Sequence, residues 1–257
     1  MRLFSPIKSY LIRNAGKFEL DSNGLSRWIG YCAFGLPFAM LYGVYIGWPF
    51  GKVCFAKSIS HFYYTRGFGD IFVGILFFIA IFLYNFRGKK QIDTLCATLA
   101  GFFALGVALF PAAGAPCAYN NQQARILTDM PDKVPGVLPD SFTASPWSGY
   151  LHQGSAALLF LFLAWYSFYV FASDHQKAKY RTAQGGLTEV KILRNRIYRC
   201  CSYAILIAIL SIAVLPKLVG GNWWDDNHLT FWFEALALAS FGISWMVHGR
   251  TFDALKD

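Results

Sequence analysis

The sequence predicts an all-α, polytopic membrane protein with six spans and both termini in the cytoplasm. Three observations predict it. First, charged residues make up only 14% of the 257 positions, against 56% apolar and 18% aromatic. A water-facing globular chain carries about 25% charged residues. This chain therefore lacks the polar surface to coat a soluble domain, which excludes disorder, a collagen-like fibre and an ordinary cytosolic enzyme. Second, six stretches are apolar over about the 20 residues a helix needs to cross the hydrocarbon core. Third, Lys and Arg are divided unequally between the segments that separate those stretches. Residues 1–27, 87–93, 173–199 and 248–257 hold 17 of the 23. Cytoplasmic segments collect Lys and Arg, so these four pieces are expected inside.

The elements follow in order. Residues 1–27 form a polar, basic N-terminal segment without the short apolar run and cleavage site of a signal peptide. Within it, Ser5–Leu20 suits an interfacial helix: Ser5 can cap, Pro6 fits the first turn, and Phe4, Ile7, Leu11, Ala15 and Phe18 share a face. A frayed basic terminus is the other reading. The spans are expected at Trp28–Phe50, Gly67–Phe86, Ile92–Ala112, Leu151–Ala172, Ile197–Leu218 and His228–Val247. They make one transmembrane domain over 28–248 with an outer loop at 113–150, followed by a cytoplasmic tail at 249–257.

The net charge of +9 is then a topology signal that favours anionic lipid over nucleic acid as the partner. In the third span, Ala97, Gly101, Ala104 and Ala108 form a small-residue stripe where another helix can approach closely. The first span carries Gly30, Gly35, Gly43 and Gly47. Trp48, Trp147, Trp223 and Trp224 fall at the outer boundary as an aromatic belt. Trp223 and Trp224 can also be read as a platform for a sugar or lipid headgroup. Of six cysteines, Cys54 and Cys117 fall in the outer loops, where an oxidising compartment would allow them to pair; Cys32, Cys96, Cys200 and Cys201 lie in or beside helices as small core residues. The common soluble catalytic signatures are absent.

Ionisable groups inside a membrane are costly, which makes them functional candidates. Arg66 and Asp70, spaced i, i+4 at the head of the second span, can pair on one helix face. Glu234 lies about 9 Å into the sixth span, with no cation of its own helix near enough to neutralise it. It needs a partner on another helix, a proton or a metal. His61, His152 and His228 stand at the starts of the second, fourth and sixth spans, at one expected depth. Asp70, Asp225, Asp226, Glu234, Ser58 and Ser60 lie near the same level. Neutral imidazoles with a carboxylate are what zinc takes, leaving a position for water, and bound zinc turns that water into a nucleophile. A structural polar network and a proton or ion pathway are the competing readings. The outer loop before His152 is long enough to act as a cap.

Ser58-Ile-Ser60 leading into an Asp-bearing span, a third span ending Ala-Leu-Phe-Pro111, and Leu151-His-Gln-Gly-Ser-Ala156 opening the fourth together resemble a group of bacterial six-span membrane proteins. That group looks related to the damage-regulated autophagy modulators and to the Golgi protein that helps remodel GPI lipids. More distantly, the run through Ser58 or Ser60, His61 and Asp70 is similar to the CREST superfamily of membrane hydrolases. Those proteins bind zinc through a Ser, a His and an Asp on early spans and two His on a late one. This chain has six spans rather than seven, and a lone His228. The resemblance implies lipid handling at the membrane.

The reading is an integral membrane protein of the bacterial inner membrane with a polar, outer-facing cavity between the second, fourth and sixth spans. Its partners would be membrane lipids, with a protein partner in the membrane left open. In one version it is a zinc-dependent amide or ester hydrolase. There His61, His152 and His228 are ligands, Asp70 orients or ligates, Glu234 is the general base, Ser60 is a further catalytic candidate, and Arg66, Trp223 and Trp224 contact substrate. In the other it is a non-enzymatic scaffold or accessory subunit, or a small transporter using Asp70 and Glu234.

Overall fold

The computed structural model describes residues 22–88, 90–112, 128–129, 143–144, 146–172, 180–182 and 185–256. The fold is all-α, and among the described residues six helices are long and apolar enough to cross a membrane. They are α1 (Ser22–Tyr45), α2 (Phe68–Asn85), α3 (Gln91–Leu109), α4 (Pro146–Trp165), α5 (Glu189–Val219) and α7 (Leu229–His248). A short α6 (Gly221–Asp226) links α5 to α7, and a 3₁₀ helix (Ile59–Tyr64) precedes α2. Two residues of β1 (Thr128–Asp129) pair antiparallel with two of β2 (Thr143–Ala144) in the long α3–α4 connection. The expected interfacial helix at Ser5–Leu20, Cys117 and most of the 113–150 loop lie outside the described residues.

The expected spans are all present, with shifted ends. α1 runs from Ser22 to Tyr45 instead of from Trp28 to Phe50. It stops where Gly47 takes a φ of 75°, followed by Pro49, which has no N–H to donate to a helix. α4 starts at Pro146 rather than Leu151, because proline in a first turn loses no hydrogen bond. It then continues as a π-helix over Tyr166–Phe171. α5 starts at Glu189 rather than Ile197. The Thr188 side chain accepts from the Lys191 N–H at 3.3 Å, and Glu189 complements the helix dipole. Its 31 residues span about 46 Å, well beyond the about 30 Å of a hydrocarbon core.

Each long helix packs on its neighbour in sequence, and α7 closes the ring against both α5 and α1. The closing seam depends on two glycines. A Cβ on Gly242 would lie 2.7 Å from the Gly30 carbonyl oxygen, and one on Gly30 would lie 2.8 Å from the Gly242 carbonyl oxygen. The small-residue stripe of α3 works as expected. Ala97, Ala104 and Ala108 are buried, and a Cβ on Gly101 would meet the Ala80 carbonyl oxygen of α2 at 2.8 Å. At the lower end, fully buried Trp245 packs among Phe82, Phe86 and Phe171. There Tyr166 donates to the Asp93 carbonyl, and the Ser167 and Ser244 hydroxyls meet at 2.9 Å. Among the described residues Cys32, Cys96, Cys200 and Cys201 are free; Cys96 and Cys201 are buried as expected of core residues, Cys32 is half-buried and Cys200 is exposed on the surface of α5, while Cys54 is disulfide-bonded.

The α1–α7 seam yields a direct test. Gly242→Leu must push a backbone carbonyl aside, which costs about 1–3 kcal/mol as overpacking. It is expected to lower the unfolding midpoint in detergent, whereas Gly154→Ala, with open space around it, should leave the midpoint unchanged. Equal midpoints for the two variants would show that the seam does not limit stability.

Candidate functional site

The site is built by the segment between α1 and α2, which folds back onto the upper end of the bundle, where α2, α4 and α7 begin. Ser58 caps its 3₁₀ helix: the Ser58 hydroxyl accepts from the His61 N–H at 3.3 Å. The same hydroxyl lies 2.6 Å from His61 Nδ1. Tyr64, at the other end of the helix, donates to the Ala112 carbonyl at 2.8 Å, so the segment is fastened to the end of α3. Burial, with Tyr63 beside it, pushes the Tyr64 phenol above the ordinary tyrosine range. It stays a donor.

α7 holds the segment from the other side. The Phe231 N–H, in the first turn of α7, donates to the Lys57 carbonyl at 3.0 Å. One turn on, the Glu234 carboxylate accepts from the Ile59 N–H at 2.6 Å, with Ser60 lining the same cavity. Glu234 therefore sits on the N-terminus of a 3₁₀ helix, where backbone N–H groups lack intrahelical acceptors. This is the partner its sequence position demanded, and it is backbone rather than another side-chain charge. Lys57 reaches across the rim to Asp225 at 2.7 Å, with both side chains partly exposed.

Below these groups lies a cavity of about 610 Å³. Its upper wall carries Lys57, Ser58, Ser60, His61, Asp225, Thr230 and Glu234. α4 contributes His152 and Gln153, then Ala156, Ala157 and Phe160; α5 contributes Ile209, Ile212 and Ala213. The polar groups are thus gathered at one end, and the apolar ones continue down the groove between α4 and α5. Ala157 and Ala213, one from each wall, are both exposed, so the cavity reaches the flank of the bundle. His152 is only 3% exposed. Its Nδ1 lies 2.7 Å from the Phe110 carbonyl oxygen and must donate there, which leaves Nε2 as an acceptor. That Nε2 is buried and has no partner among the described residues.

The structure brings Ser60, His61, His152 and Glu234 to one cavity, with Ser58 among them. It places the other candidates elsewhere. Asp70 is exposed and accepts from the Gly67 N–H at 3.2 Å, closing the head of α2 as a cap. Arg66 is exposed in the turn before it. His228 stands before α7 with a left-handed φ of 52°, and its ring stacks on Phe55 at 4.1 Å instead of lining the cavity. Trp224 is buried, stacks on Phe233 and donates to the Thr230 hydroxyl at 2.8 Å; it supports the wall and cannot serve as an exposed platform. Trp223 is exposed beside it. Among the described residues, no group of three His, Cys, Asp or Glu side chains comes together to hold a metal ion. Of the three histidines expected from the sequence, His61 and His152 line this cavity and His228 does not.

Lys57, Thr230 and the apolar walls were not legible as site residues. Their one signal was the run of small residues, Ala156-Ala157 and Ala213, at the upper ends of two spans. No protein-family model, curated protein or solved structure matches the chain.

The two carboxylate contacts at the upper end differ in weight. Lys57→Met breaks an exposed pair and is expected to change stability by under about 1 kcal/mol. Glu234→Leu leaves the Ile59 N–H without an acceptor and is expected to cost about 1–3 kcal/mol. Chemical denaturation in detergent compares them, and an equal effect would remove the structural role assigned to Glu234.

Proposed function

We propose that this is a lipid-handling protein of the bacterial inner membrane, with both termini cytoplasmic and the cavity at the outer leaflet. The single observation that carries the lipid reading is the shape of the cavity. It is polar at one end, apolar below, and open on the flank between α4 and α5. A soluble metabolite would have no use for that flank. An amphipathic lipid fits it, with its head among the Ser58, His61, His152 and Glu234 groups and its chain between Ala157, Phe160, Ile209 and Ala213. The volume is in the range of ligand sites, about 300–1,000 Å³. The orientation is supported by the 17 of 23 Lys and Arg residues on the expected inner pieces, and by the disulfide at Cys54, which suits an oxidising compartment.

A second reading, hydrolysis of the bound lipid, is favoured by one contact, the 2.6 Å between the Ser58 hydroxyl and His61 Nδ1. In it the Ser58 Oγ attacks an ester or amide carbonyl, and His61 takes the hydroxyl proton and returns it to the departing alcohol or amine. Water then releases the acyl group from Ser58. The zinc-dependent form of hydrolysis rests on the histidine and carboxylate pattern of the sequence and on its resemblance to the CREST hydrolases.

Lipid extraction from the purified chain, followed by mass spectrometry, tests the main reading. About one lipid per chain is expected, lost in an Ala157→Trp/Ala213→Trp variant that fills the groove. Equal lipid in both proteins would overturn the reading. For hydrolysis, Ser58→Ala should lower turnover of a fluorogenic lipid ester by about 10²-fold or more. Unchanged turnover removes Ser58 as nucleophile, and stoichiometric zinc in the same preparation would favour the metal-dependent form. A reporter active only in the cytoplasm, fused after Asp257, is expected to be active; silence there with activity of a periplasmic reporter would reverse the orientation.

A further inference from the structure

The polar end of the cavity holds a buried ring nitrogen that no donor meets among the described residues. His152 Nε2 is an acceptor, buried and without a partner among the described residues, while its other nitrogen is committed to the Phe110 carbonyl. A buried acceptor left unmade is costly, so the occupant is under pressure to supply a donor. The charges that line the cavity point the same way. They are Lys57, Asp225 and Glu234, with the two histidines His61 and His152. The Lys57 ammonium is bonded to Asp225 at 2.7 Å at the rim. The Glu234 carboxylate accepts from the Ile59 backbone N–H, and no Lys or Arg among the described residues is bonded to it.

An occupant head that is both cationic and rich in N–H donors fits these groups. A primary ammonium has a positive charge and three donors. A quaternary ammonium has the charge and no donor, and a glycerol head has donors and no charge. We propose, building on the lipid reading above, that the polar end of this cavity selects a lipid with a primary-ammonium head of the ethanolamine type. The ammonium would lie between Glu234 and His152. The lipid phosphate would lie toward the rim, where the Lys57 side chain is more than half exposed at 58%.

The test uses the full chain in detergent. Lysophosphatidylethanolamine and lysophosphatidylcholine with the same acyl chain are titrated by thermophoresis. The ethanolamine lipid is expected to bind about tenfold tighter or more, since charge-assisted hydrogen bonds separate the two heads. His152→Asn keeps an N–H donor for the Phe110 carbonyl and takes the acceptor away from the position of Nε2. Glu234→Gln keeps an oxygen for the Ile59 N–H and removes the charge. Each is expected to bring the ratio toward one in a protein that still elutes as a single folded species. Phosphoethanolamine, the head without the chain, is expected to compete only at about hundredfold higher concentration, since it buries no apolar surface.

The failures are distinguishable. Equal affinity for the two lysolipids, or a ratio that survives both substitutions, overturns the headgroup inference and leaves a lipid site standing. Tight competition by phosphoethanolamine overturns the lipid as the source of the ammonium. No binding of either lysolipid overturns both this inference and the lipid reading beneath it.

Discussion

The hydrogen bond between the Glu234 carboxylate and the Ile59 N–H, at the N-terminus of the 3₁₀ helix, holds the upper end of the molecule together. The two partners are 175 residues apart in sequence. Each would be a liability by itself: a carboxylate inside an apolar span, and an N–H group at a helix end without an acceptor. Together they satisfy each other, and the reciprocal bond from the Phe231 N–H to the Lys57 carbonyl makes the contact two-sided. Everything else at this end follows from the docking. It places Ser58 and His61 over the cavity, brings Lys57 within reach of Asp225, and sets a polar roof above an apolar groove.

Small residues serve two opposite purposes in the bundle. At Gly30, Gly242 and Gly101 they let backbones meet, closing α1 on α7 and α3 on α2. At Ala156, Ala157 and Ala213 they leave volume unfilled, and the groove between α4 and α5 widens upward. α4 and α5 do touch lower down, where the Ser202 hydroxyl donates to the Ala164 carbonyl at 2.9 Å. The two helices are thus joined at one end and apart at the other. Composition cannot distinguish these uses, because an alanine facing a helix and an alanine facing a void read alike.

That limit explains what was legible in the sequence. Six spans could be read because the thickness of a bilayer imposes a length and an apolar content on each of them. Their ends could not, because caps and turns decide them: Thr188 starts α5 well before its apolar run, and Gly47 stops α1 before its own is finished. The histidine depth argument placed His61 and His152 correctly at one cavity. It failed for His228, whose left-handed backbone turns the ring onto Phe55. Asp70 was legible as a costly intramembrane charge, yet it lies exposed at the head of α2 and works there as a cap. The partner of Glu234 was out of reach, since the donor is a backbone group of a remote loop and carries no side-chain signature.

The opening on the flank has a consequence for how any occupant would be chosen. A molecule entering between α4 and α5 moves from hydrocarbon to protein without passing through water. Its chain is already sheltered before it binds, so sheltering it again contributes almost nothing to selection. For a lipid arriving by that route, competition is against every other lipid in the leaflet, all with similar chains. The choice then falls on the few polar atoms under the 3₁₀ helix, where His152 Nε2 stands without a partner among the described residues.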